Sequence, residues 1–132
     1  MPFSEILGQD SAVALLRNLL KARRLPHALL FVGPEGVGKH LAARALAQAL
    51  LCRQGQASAA PSLFGGPAKP ADPSEPCGKC PVCLRIAKGE HPDVHELSGS
   101  GAQGLIQIEP LRELLRTLQL HSVEGGAKVA LL

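Results

Sequence analysis

Eight residues at positions 33–40, Gly-Pro-Glu-Gly-Val-Gly-Lys-His, restrict this chain more than any other segment. They spell G-x-x-x-x-G-K followed by a histidine. Gly33, Gly36 and Gly38 admit backbone angles at which successive N–H groups turn inward around a phosphate. A helix opening at Lys39 points its positive end at the same spot. The Lys39 ammonium adds a full charge toward the outer phosphates. The flanks agree with this use. Residues 28–32, Ala-Leu-Leu-Phe-Val, are a continuous apolar run, as in a strand buried on both faces of a parallel sheet. From Lys39 to about Cys52, Leu41, Ala42, Ala45, Leu46, Ala49 and Leu50 fall on one helical stripe. Strand, glycine turn and helix make the first half of a βαβ unit. The predicted nucleotide-binding residues are therefore Gly33, Pro34, Glu35, Gly36, Val37, Gly38, Lys39 and His40. The plainer reading of the segment is a glycine-rich turn with an exposed lysine.

His40 departs from the pattern. Serine or threonine usually follows the lysine, and its hydroxyl binds Mg²⁺ beside the phosphates. A neutral imidazole cannot copy that oxygen ligand, and a protonated one repels the metal. Two outcomes stay open: a loop that binds ATP without hydrolysing it, and a relic that binds nothing, with His40 merely an exposed helix residue.

The second local signal is Cys77-Gly78-Lys79-Cys80-Pro81-Val82-Cys83, spaced C-x2-C-x2-C. Cys52, at the end of the second helix, can supply a fourth thiolate. Tetrahedral Zn²⁺ takes four such ligands, and a C-x2-C knuckle places two sulfurs on one ion. The residues between Cys52 and Cys77 are no obstacle, because closure entropy grows slowly with loop length. The same thiols suit an iron–sulfur cluster or a redox pair, and His91 and His95 are near enough to replace Cys52. Zinc is the expected occupant. With four protein ligands it is structural, pinning a module that too few apolar residues hold together.

Composition narrows the rest. A length of 132 residues suits one domain or part of one. Three Phe, with no Tyr and no Trp, exclude a platform that stacks single-stranded bases on aromatic rings. Residues 1–53 hold seven Lys/Arg against three Asp/Glu, and residues 54–132 hold seven against eight. The basic first half suits a phosphate-bearing partner. No apolar stretch approaches the roughly 18 residues that span a bilayer. The N-terminus lacks the basic and apolar regions of a secretory signal. The expected location is cytoplasmic, where cysteines are thiols or metal ligands more often than disulfides.

The remaining chain reads as follows. Residues 10–22 are amphipathic, with Asp10 or Ser11 as cap and Ala12, Leu15, Leu16, Leu19 and Leu20 at helical spacing. Residues 53–76, rich in Pro, Gly, Ala and Ser, predict a mobile insertion without packed structure. The cysteine module covers residues 77–90, with a short helix near 84–88. Residues 94–97 are a candidate second strand and residues 99–104 a flexible connection. Pro110 suits the first turn of a third helix carrying Leu111, Leu114, Leu115 and Leu118. Residues 128–132 begin another buried strand, so the chain reads as an N-terminal fragment.

In this order, a weak Ile6-Leu7-Gly8-Gln9 opening, then Arg24-Leu25-Pro26-His27-Ala28, the phosphate loop and the four cysteines, the sequence resembles bacterial clamp-loader subunits. These are AAA+ proteins of the DNA polymerase III holoenzyme, a DNA-directed DNA polymerase complex. The motor subunit (tau/gamma) and the delta-prime subunit share the layout. His91-Pro92-Asp93, Ile106-Gln107-Ile108-Glu109 and the non-hydroxyl residue His40 are similar to delta-prime. The resemblance implies an α/β fold: a P-loop parallel sheet flanked by helices, with the zinc module inserted, here a partial AAA+ domain over residues 1–132 that is truncated at its C-terminus. It implies Cys52, Cys77, Cys80 and Cys83 as zinc ligands, and places Gly8 and Gln9 near the adenine. It implies partnership with tau/gamma and delta, and through them with the sliding clamp and primed DNA in replication, without a membrane. The resemblance to a rigid stator, with His40 breaking the Mg²⁺ position, implies that the subunit itself is neither polymerase nor active ATPase. Walker B acids and an arginine finger would follow Leu132, so this fragment alone cannot hydrolyse ATP by the family's mechanism. The alternatives are an active tau/gamma-like motor ATPase and a small P-loop kinase with a zinc lid.

Overall fold

The computed structural model describes residues 3–52, 74–99 and 103–132. After a single 3-10 turn at Phe3–Glu5 come helix α1 (Asp10–Lys21), helix α2 (Lys39–Leu51), helix α3 (Pro81–Lys88), strand β1 (Val94–Glu96), helix α4 (Ile108–Gln119) and strand β2 (Val129–Leu131). The result is a small α/β structure. β1 and β2 pair in parallel, with Val94 opposite Val129, His95 opposite Ala130 and Glu96 opposite Leu131. Parallel neighbours need a crossover, and α4 lies in that connection. Lys128 Nζ donates to the Thr117 carbonyl, tying the end of α4 to the approach to β2.

α1 forms over nearly its expected span, with a different buried stripe. Val13, Leu16 and Leu20 face inward, whereas Leu15 is exposed. The expected cap is also corrected. Gln9 is the N-cap residue and caps with no side-chain bond, while Asp10 is the first helical residue. There its carboxylate sits at the positive end of the helix. Phe3, Ile6, Val13, Leu16 and Leu20 bury against Ala45, Leu46 and Ala49 of α2. The other side of α2 closes a second core, where Ala47, Leu51 and Cys52 meet Cys80, Val82, Cys83 and Ile86 of the cysteine module and Val94 of β1. Gln48 is buried between them and donates from Nε2 to the Cys83 carbonyl at 2.9 Å. α2 is thus a middle layer, wider in its burial than the single stripe expected.

Residues 28–32 do not form the expected strand. The sheet consists of β1 and β2, and an extended segment becomes a strand only when a neighbour takes its backbone N–H and C=O groups. Phe31 packs on the first core, while Leu30 and Val32 are 88% and 83% exposed. α3 begins at Pro81, three residues before the expected Leu84, because proline suits the first helical position.

Most of the predicted insertion, residues 53–73, lies outside the described residues, as do residues 100–102 of the predicted connection. Its last three residues are packed, contrary to the expectation for 53–76: Ser74 and Pro76 are buried. Glu75 reaches back to Arg17 Nη2 at 2.8 Å and accepts from the Ser4 N–H at 3.3 Å. This pair is partly solvated, so Glu75→Ala should cost only about 0.5–1 kcal/mol in urea denaturation. A loss above roughly 2 kcal/mol would mean that the contact organises more than its two side chains.

Candidate metal centre and phosphate loop

The four cysteines come together in space. Their sulfurs all lie within 4.8 Å of one another, with Cys52 Sγ 4.0 Å from Cys80 Sγ and Cys77 Sγ 3.8 Å from Cys83 Sγ. A disulfide needs about 2.05 Å, so these are free thiols. Four sulfurs around one ion at the usual Zn–S distance of about 2.3 Å stand roughly 3.8 Å apart, so the set fits a tetrahedral metal. Of the residues described, only these four form a metal-type cluster.

Local structure explains the arrangement. Cys80 is the N-cap of α3, and its Sγ accepts the Cys83 N–H at 3.4 Å. The turn Cys77-Gly78-Lys79 brings the N–H groups of Cys80 and Lys79 onto Cys77 Sγ at 3.3 and 3.5 Å. Cys52 arrives from the C-cap of α2. Burial pushes the Cys77 thiol up, but the Lys79 and Cys80 N–H groups and the thiols of Cys52 and Cys80 outweigh it and bring the pKa to about 6. Burial pushes Cys83 up, and the thiols of Cys80 and Cys52 add to the rise. A set in which Cys77 is already prone to ionise, beside a Cys83 thiol that burial holds protonated, is one that a cation can draw into the thiolate form.

His91 and His95, the candidate replacements for Cys52, do other things. His91 is buried, accepts the Asp93 N–H on Nδ1 at 3.1 Å and faces Glu124 Oε2 with Nε2 at 3.4 Å. His95 lies on β1, opposite Ala130.

The loop at residues 33–38 turns directly into α2. Gly36 and Gly38 have φ of 78° and 98°, values that side chains with a Cβ rarely adopt, and Gly38 is the N-cap. Lys39 Nζ donates to the Gly33 carbonyl, closing the loop on itself. Pro34 and Glu35 are exposed, and Val37 is half-buried. A Cβ at Gly38 would stand 3.9 Å from Ile6 Cγ2, so the loop borders the N-terminal turn, two residues from Gly8 and three from Gln9.

Three features of the site escaped the sequence reading. Arg44 grips Glu96 with both ends of its fork, Nε to Oε1 at 2.7 Å and Nη2 to Oε2 at 2.8 Å. His40 Nε2 stands 3.5 Å from the same Oε2. The Arg44 hydrogen bond, more than burial, sets the balance at Glu96 and keeps its carboxyl below the usual range. Asp93, fully buried, accepts from the Ser122 hydroxyl at 2.7 Å and the Val123 and Glu124 N–H groups at 2.8 and 3.1 Å.

A family model described as DNA polymerase III, delta subunit, matches residues 8–132. The chain belongs to that family. The polymerase III relatives include subunit tau/gamma of Haemophilus influenzae, 35% identical over 98% of this chain and 16% of its own length. Subunit tau of Escherichia coli is 33% identical over 98% of this chain and 17% of its own length. Subunit delta′ of Pseudomonas aeruginosa is 33% identical over 80% of this chain and 27% of its own length. The chain therefore spans well under a third of these relatives. Family membership agrees with the resemblance to clamp-loader subunits carried by the loop and cysteine order, and relatives of both tau/gamma and delta′ kinds align. No helix among the described residues is long and apolar enough to cross a membrane.

Proposed function

We propose that this chain is the phosphate-loop portion of a delta-prime-like subunit of the cytoplasmic DNA polymerase III clamp loader. It supports loading of the sliding clamp on primed DNA through contacts with tau/gamma and delta subunits. The observation that carries the choice of delta-prime is His40. Where a motor subunit needs a hydroxyl for Mg²⁺, this chain has an imidazole facing Glu96. Gly33 to His40, with Gly8 and Gln9 alongside, hold ATP without hydrolysing it. Cys52, Cys77, Cys80 and Cys83 hold one zinc ion. Bound there, zinc staples α3 to the end of α2 and leaves no open position for water.

The test uses the full-length protein. It should co-elute with tau/gamma and delta subunits in one complex on gel filtration and restore clamp loading to a mixture that lacks it. Alone it should show no ATPase activity above background, with or without primed DNA. The 35% identity to Haemophilus influenzae tau/gamma favours a second reading, the motor ATPase. DNA-stimulated hydrolysis by the isolated protein would establish that reading and remove the first.

A further inference from the structure

The contacts of His40 say more than that a hydroxyl is missing. The residue after the loop lysine faces the end of β1, 3.5 Å from Glu96. Glu96 is the carboxylate beside it and is fully engaged, since Arg44 donates to both of its oxygens. A carboxylate gripped in this bidentate way has its charge matched and its lone pairs directed at the guanidinium. It makes a poor ligand for Mg²⁺, which demands near-octahedral oxygen geometry and gives up water reluctantly. The residue at the hydroxyl position is thus unsuited to the metal by its chemistry, and the carboxylate beside it is committed to its partner. Charge is still supplied there. Lys39 and Arg44 stand on the first two turns of α2, with Glu96 beside them and Glu35 exposed in the loop, and the helix N-terminus adds its own partial charge. The sequence separation of 52 residues between Arg44 and Glu96 makes this a tertiary feature, built by docking β1 against α2.

Building on the nucleotide-binding reading above, we infer that Glu96 and Arg44 are positioning residues. By fixing His40 against β1 they make the loop a metal-independent polyphosphate site, one that takes free ATP in place of the Mg²⁺ complex.

The experiment is titration of the full-length protein with a fluorescent ATP analogue, once in excess Mg²⁺ and once in EDTA. The wild type should bind with affinities within about twofold of each other, while the double variant His40→Thr, Arg44→Gln, which supplies a hydroxyl and frees the Glu96 carboxylate, should gain a Mg²⁺ preference of about tenfold or more. Lys39→Ala should weaken binding equally in both buffers. Thermal melts of each variant identify any that fail to fold, and the single variant His40→Thr, which leaves the Arg44–Glu96 pair in place, then serves instead and should gain a smaller preference. A wild type that binds only with Mg²⁺ overturns the inference and leaves the nucleotide reading standing. Binding in neither buffer overturns both. Variants as indifferent to Mg²⁺ as the wild type overturn the role given to His40 and Glu96.

Discussion

Cys80→Ser should remove the bound metal and release the surrounding structure in one step. The wild-type protein should carry about one zinc per chain by elemental analysis, and the variant essentially none. Cys80 has three jobs here. It is one corner of the sulfur cluster, it caps α3 by accepting the Cys83 N–H, and it fills part of the second core. Serine keeps the capping ability but loses the soft ligand and most of the buried contact. The binding free energy of structural zinc sites in small domains is on the order of 10 kcal/mol and appears directly as folding free energy. Hydrogen exchange should therefore quicken across residues 77–97 while α1 stays protected. Unchanged zinc content in the variant would remove Cys80 from the ligand set, and an iron–sulfur absorption band in the wild type would remove zinc.

The second large effect is expected at Asp93. Its carboxylate is buried and receives three donors from residues 122–124, so Asp93→Ala strands those donors along with the turn they hold. Hydrogen bonds to a buried charge place the loss at about 3 kcal/mol at neutral pH, measured by urea denaturation. Asp93→Asn, which retains one acceptor oxygen, should lose less. Burial alone would raise the Asp93 pKa, but the Ser122 hydroxyl, the Val123 and Glu124 N–H groups and nearby His91 outweigh it, so the carboxyl titrates below its ordinary 3.8. A depressed folded-state pKa gives stability that is complete above the unfolded value and is lost as pH falls through the folded one. The wild type should therefore lose this contribution below about pH 4, and the gap between wild type and Asp93→Ala should narrow there. An equal gap at pH 7 and pH 3 would show that the effect comes from packing instead of from the carboxylate.

What could be read from the sequence was local. The glycine loop and the C-x2-C-x2-C spacing each sit within eight residues, and both fold as short turns whose chemistry their own neighbours determine. α2 and α4 were legible from apolar periodicity, because a helix satisfies its own backbone. The start of α3 was obscured by reading Cys80 only as a ligand, although Pro81 behind a capping residue is a recognisable helix start. Residues 28–32 were misread because being a strand depends on a partner elsewhere in the chain. The Arg44–Glu96 grip and the Asp93 hub join positions 52 and about 30 residues apart. Neither carries a spacing rule. A faint signal was present in His91-Pro92-Asp93, where a charged residue stands immediately before the candidate second strand.

The position of α2 between two cores has a consequence for how this sequence can vary. Ala45 and Ala49 touch one core and Ala47 the other, so successive alanines in the second half of the helix answer to different neighbours. A larger side chain on either side can be relieved only by sliding the helix toward the opposite wall, which is already filled. Freedom to drift is therefore greatest in its opening turn, where Leu41 is partly open to solvent, and beyond it Ala45, Ala47 and Ala49 are held small by two separate sets of walls.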